Sequence, residues 1–406
     1  MSDGRRSVAP GRGFIALIVG LMAVSALAID LMLPAFPDIR AEFGMAPDAS
    51  RVGWIVTAFF LGLAIGPLIY GPLSDRFGRR PLVLAGLGIY AAGGIAAILA
   101  PSFTWIVVAR VLWGAGAAGP RSLALAMVRD RYEGDAMARF MSMTMAVFLL
   151  VPIMAPLAGA GLNAIAPWRI VFWTPVLAAL AMLMLAWRWL PETLSAERRR
   201  PLSARAVAAA ARAVVTCRAT LLFTAAITCL VGVLTTYLSG AELVVDDVYG
   251  RKSAFPFVFA GIGVMLAISS LNNARLVARL GLRTLLQRMA VGAACAGALL
   301  FVLSLVNGGK PPFLLFVVVL GLALPLGQGL APNSNTAAMM PVPHVAGMAS
   351  ALIASVSTLG GSLLGNLASS AADGTARPMA TGIFVYLGLA AVLILVAARD
   401  VSPRTT

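Results

Sequence analysis

The chain has 406 residues, 60 % of them hydrophobic and only 12 % charged, where a soluble domain carries about 25 % charged residues. That composition excludes a soluble globular protein. The net charge of +15 comes from arginines in short breaks between apolar runs, a topology signal of polytopic membrane proteins, and excludes nucleic-acid binding as its cause.

Twelve apolar runs are predicted to be helices, at 14–35, 52–72, 81–100, 104–127, 138–161, 168–190, 220–240, 254–273, 284–306, 312–334, 346–370 and 379–398. Each is near the length of about 20 residues that crosses a bilayer core. With the N-terminus inside, most of the 31 lysines and arginines fall on the cytoplasmic side. Both termini are therefore expected in the cytoplasm. Reading the first run as a signal peptide would leave eleven spans and reverse the orientation the charges support. The expectation is an all-α membrane protein of two six-helix bundles, residues 1–190 and 220–406. They are joined by a cytoplasmic linker, 191–219, with an amphipathic helix over 202–215.

The halves look related. "RFGRRPLVL" (76–84) lies over "RLGLRTLLQ" (279–287), and "GAAGPRSLALAMV" (116–128) over "QGLAPNSNTAAMM" (328–340). Two repeats around a midplane cavity is a common plan of secondary transporters.

Charges inside the spans are candidate functional groups, because they are costly there. They are Asp30 in the first run and Arg110 and Arg121 in the fourth. At 1.5 Å per residue, Asp30 and Arg110 sit roughly 9 and roughly 8 Å outward of their span centres, at matching heights. Arg121 follows three turns later on nearly the same face. Such a carboxyl beside an arginine suits proton coupling, because an entering substrate shifts the balance between them. Glu242, Asp246 and Asp247, at the outer end of the seventh run, read as solvated, which leaves the C-terminal half without a deep acid. His344 reads as a loop residue, and the three cysteines show no metal or disulfide spacing. Pro152, Pro156, Gly159 and Gly161 mark a bend or a close helix approach in the fifth run. Candidate substrate-lining groups are Trp54, Trp113, Tyr237, Gln328 and Asn335. There is no Ser/His/Asp set, metal cluster or phosphate loop, so an enzyme or sensor is not expected.

"GPLSDRFGRRPL" (71–82), between the second and third runs, closely resembles the signature loop of the major facilitator superfamily, through Gly71, Asp75, Arg76, Gly78, Arg79 and Arg80. "AIDLMLPAFPDIRAEFG" (28–44) and "RVLWGAGAAGP" (110–120) resemble the first- and fourth-helix motifs of its drug:proton antiporters. "VPIMAPLAGAGL" (151–162), "PWRIVFW" (167–173), "LPET" (190–193) and "HVAGMASAL" (344–352) resemble the bicyclomycin/chloramphenicol-resistance (Bcr/CflA) branch. Trp113 departs from that pattern, standing where the family usually has Gln. The resemblance implies a proton-coupled exporter of small apolar drugs, monomeric, in a bacterial-type inner membrane, with the proton as coupling ion and no other cofactor. A proton-coupled exporter of one metabolite, such as a sugar, amino acid or siderophore, is the alternative. It also implies a cytoplasmic latch: Asp75 against the start of the eleventh helix, and Arg79 paired with Asp130.

Overall fold

The computed structural model describes residues 12–132, 134–195, 197, 199 and 204–399. Fourteen α-helices run through them: α1 (Arg12–Asp30), α2 (Phe36–Glu42), α3 (Trp54–Phe77), α4 (Arg79–Ile98), α5 (Phe103–Arg131), α6 (Gly134–Ile165), α7 (Arg169–Trp189), α8 (Ala204–Thr216), α9 (Arg218–Leu243), α10 (Phe255–Leu280), α11 (Leu282–Val306), α12 (Phe313–Met339), α13 (Ala346–Ser370) and α14 (Arg377–Ala397). Among the described residues, 11 helical segments are long and apolar enough to cross a membrane. The 32-residue α6, whose described apolar stretch is Leu150–Ile165, occupies the remaining expected position. Helices suit this setting because they satisfy every backbone group internally.

Before the linker, α5 packs against α3 and α4, α4 against α7, and α1 against α5, α6 and α7. After it, α9 packs against α12, α13 and α14, and α11 against α12 and α14. The two sets meet through α3 with α13, α6 with α10, and α3 with α9. The amphipathic α8 lies against α9 and α13, with Val214 packed on Val342 and Ala349.

Small residues set the closeness of these contacts. A Cβ on Gly114 would strike the carbonyl of Phe59 on α3, and one on Gly116 would strike the backbone of Tyr90 on α4. Only glycine lets α5 seat directly on both neighbours.

The first span is not one continuous helix. α1 stops at Asp30, and Leu33–Ala35 forms a 3₁₀ turn before α2. Pro34 and Pro37 cannot donate to the preceding turn, so the helix breaks ahead of them. Asp30 is therefore the last residue of α1 rather than mid-helix, the position its expected bounds gave it.

Candidate functional site

The end of α1 leaves carbonyls without helical partners, and in a membrane these need other donors. Arg110 on α5 supplies one. Its Nη1 donates to Ala28 O at 3.0 Å and its Nε to Ile55 O on α3 at 3.2 Å. Ala28 is two residues before Asp30, so the arginine and the carboxyl lie at one level of the bundle. Tyr90 on α4 donates to Val24 O at 2.7 Å, and Ser25 to Ala117 O at 2.9 Å. Together these fix α1 on α4 and α5.

Asp30 is 6 % exposed and makes no hydrogen bond or ion pair among the described residues. Arg110 is fully buried and its Nη2 likewise bonds nothing. The guanidinium lies over two rings, 4.4 Å from Phe59 and 4.9 Å from Trp113. Trp113 points into the packing of α4, α5 and α7, with ring centroids 5.5 Å from Tyr90 and 5.6 Å from Phe172. It supports the arginine from below; its indole is closed in by protein. Arg121 is half-buried, three turns farther along α5.

Across from Asp30, Tyr237 on α9 is buried and stacked on Phe259, centroids 5.1 Å apart. Its hydroxyl makes no hydrogen bond among the described residues. Gln328 donates to Leu230 O at 3.2 Å, and Asn335 is half-buried on α12. Trp54 opens α3 and is 37 % exposed, outside this buried group. A groove of about 220 Å³ between α1 and α6 begins one turn before Asp30 and is lined by Leu27, Leu150, Val151, Met154, Ala155 and Ala158. In the same stretch of α6, Pro156 and Gly159 are buried, Pro152 is half-buried and Gly161 faces open space. Gly159 presses on the Leu31 carbonyl, where a Cβ would not fit.

The arginine-rich loop between α3 and α4 forms a compact cluster. Gly78 turns the chain at φ 101°, a conformation glycine adopts without strain. Arg79 donates from Nη1 to Asp75 at 2.6 Å and from Nε to Asp130 at 2.9 Å. Its Nη1 also bonds Ser74, whose hydroxyl donates to Gly71 O at 2.8 Å. Arg80 donates to Trp187 O at 2.7 Å, and Arg76 lies exposed over Phe77. Asp75 is thus engaged by Arg79 within its own set of helices. A bond from Asp75 to the start of α13 does not occur among the described residues. His344 lies in the 3₁₀ turn Pro343–Val345 before α13, and its side chain is outside the described ones.

Three features escaped the sequence. Glu192 of "LPET" accepts the backbone N–H groups of Arg79 at 2.8 Å and Arg80 at 3.2 Å, a carboxylate at the positive end of α4. Its place directly after a span was the available signal. Asn273 on α10 and Asn333 on α12 exchange amide bonds of 2.8 and 3.2 Å. The third overturns an expectation: Glu242 is not solvated. It is 4 % exposed and takes both Nη groups of Arg40, at 2.8 and 3.1 Å. Asp247 stands 3.7 Å from the same guanidinium and is about a third exposed. The second set of helices therefore does hold a buried acid. Its partner is a cation 202 positions away in the sequence.

Residues 18–365 match the family model of the Major Facilitator Superfamily. An uncharacterized MFS-type transporter of Bacillus subtilis, YdgK, is 29 % identical over 375 residues, 91 % of this chain and 92 % of that protein. A bicyclomycin resistance protein homolog of Haemophilus influenzae is 27 % identical over 369 residues, 90 % of this chain and 91 % of that protein. Among solved structures, the xylose transporter XylE from E. coli, in a partially occluded inward open conformation, superposes with a TM-score of 0.72. That match covers 97 % of this chain and 98 % of that one at 14 % identity, a likeness of fold alone. The helical order, the packed signature loop and the family match agree: the chain belongs to the Major Facilitator Superfamily and is a multi-pass membrane transporter.

Proposed function

We propose that this transporter is a proton-coupled exporter of small, mostly apolar compounds, working by alternating access in an inner membrane with both termini in the cytoplasm. The observation that carries the reading is Asp30: a buried carboxyl with no hydrogen-bond or ion-pair partner among the described residues, level with an arginine whose own Nη2 makes no hydrogen bond there. A carboxyl so placed is available to a proton or to a cationic group of a substrate. Arg110 holds the end of α1 beside it, so binding at Asp30 is felt by the helix frame. The open groove that begins one turn before Asp30 is lined by apolar side chains, which is in keeping with lipophilic substrates rather than sugars or amino acids. The likeness to a bicyclomycin resistance protein homolog supports drug efflux in particular.

Asp75, Arg79 and Asp130 serve in this reading as the cytoplasmic latch. Asp75 exchanges between Arg79 and the positive end of α13 as the halves close at that end.

The test is accumulation in drug-sensitive cells producing the wild type or Asp30→Asn. The panel includes an amphenicol and a lipophilic cationic dye, with and without an uncoupler. Accumulation lowered by the wild type, and restored by either the uncoupler or the substitution, supports the reading. Normal production with no efflux of any panel compound overturns drug export and favours the metabolite exporter.

A further inference from the structure

We infer that Arg40 and Glu242 form the gate that closes the transport path at the end opposite the arginine-rich loops. The inference rests on the alternating-access part of the proposed function.

Arg40 belongs to the short helix α2, which is fastened to the first set of helices on both sides of it. Asn163 on α6 donates to Asp38, while Arg169 donates to Glu42 at 2.6 and 2.7 Å and Trp168 donates to the same carboxylate. Arg40, between these two anchors, reaches the other set. Its bidentate partner, Glu242, lies in the last turn of α9. There the helix widens into a π turn, Val244–Val248. The wider turn brings the side chain five positions on back over one face, which sets Asp247 beside the same guanidinium.

The pair is dry as well as close, Arg40 being 2 % exposed and Glu242 4 %. Near it, Gly53 seats on Ser239, where an added Cβ would lie 3.2 Å from the serine Cβ. Backbone contact and ion pair thus seal one end together. At the arginine-rich end, by contrast, the ion pairs of Arg79 with Asp75 and Asp130 stay within the first set. Opening the sealed end means parting two charges that only water can then satisfy. The step is therefore all-or-none: water enters both sides of the pair, or the pair stays shut.

The experiment uses the full chain in lipid nanodiscs, free of native cysteines, with spin labels at Ala46 and Ser253. Both residues are exposed at the sealed end, on opposite sets of helices. Electron–electron distances are measured in the wild type, in Glu242→Gln with Asp247→Asn, and in that variant with Arg40→Gln added. Removing both acceptors strands a buried cation and is expected to raise the open-to-closed ratio by at least about tenfold. Adding Arg40→Gln removes the stranded charge and is expected to return the distances toward the closed set. Closed distances in the first variant, or no return in the second, would overturn the gate. Should the first variant not fold, Glu242→Gln alone is expected to give a smaller shift in the same direction, and its absence counts equally. The readout needs no substrate. Unchanged distances beside intact Asp30-dependent efflux overturn the gate alone, and shifted distances without efflux overturn drug export alone.

Discussion

Arg110 donates to the carbonyl of Ala28 at 3.0 Å, and so closes the end of the helix that carries Asp30. A second bond to Ile55 ties the same guanidinium to α3. One side chain thereby joins three helices, and its fork geometry matters as much as its charge.

Arg110→Lys tests that distinction. Lysine keeps the charge but lacks the planar fork that meets two carbonyls on different helices. Loss of one such charged hydrogen bond costs about 2 kcal/mol. The expected result is a lower melting temperature in detergent together with loss of uncoupler-sensitive efflux. Full efflux by the lysine variant would show that charge alone suffices.

Trp113 separates support from selectivity. Its ring fills the space between Tyr90, Phe172 and Arg110. Trp113→Ala is expected to destabilise the protein by about 3–5 kcal/mol, the usual range for a buried aromatic. The ranking of exported compounds should not change, because the ring is walled in by protein. A changed ranking, measured by accumulation across the panel, would place the ring in contact with substrate.

Glu192 is expected to matter more than its loop position suggests. Besides Arg79 and Arg80, it accepts the N–H groups of Thr193 and Leu194, each at 3.0 Å. Glu192→Ala removes all these acceptors at the start of α4 and should cost about 1–2 kcal/mol, as for loss of a helix cap. Hydrogen exchange at the amides of Arg79 and Arg80 should rise in that variant. Unchanged protection there would deny Glu192 its capping role.

Gly159 and Gly161 sit two residues apart in one motif and are expected to behave oppositely. A methyl at Gly159 collides with the Leu31 carbonyl, while one at Gly161 meets nothing within 4 Å. Gly159→Ala should therefore reduce folded yield sharply and Gly161→Ala leave it unchanged, as read by size-exclusion profiles. Equal yields would mean that α6 has room to shift away from α1.

The helices were legible in the sequence because a bilayer core enforces long apolar runs, and the arginines marked one end of them. The contact of Arg79 with Asp130 was reached through the family resemblance and not through spacing, since the two lie 51 positions apart. Arg40 and Glu242 were not legible. Each looks like an ordinary end-of-span charge, and only the fold shows that they meet across 202 positions. The direction of Trp113 was hidden for a related reason. On a helix packed on several sides, spacing does not say which buried face looks toward a path and which toward a neighbour. Asn273 and Asn333 escaped because a neutral amide carries no charge to make it conspicuous. The break after Asp30 was signalled by Pro34 and Pro37, whose missing N–H groups act on the turn before them.

The glycine contacts of α5 have a mechanical consequence. With Gly114 against the backbone of α3 and Gly116 against that of α4, sliding any of the three helices would drive a side chain into a main chain. Shear is thereby blocked, and these helices turn as a single block. If the transporter works by alternating access as proposed, displacement is expected to concentrate where the two sets meet, at the joins of α3 with α13 and α9 and of α6 with α10. Substitutions that stiffen those joins should slow turnover without weakening the fold, while those inside the block should do the reverse.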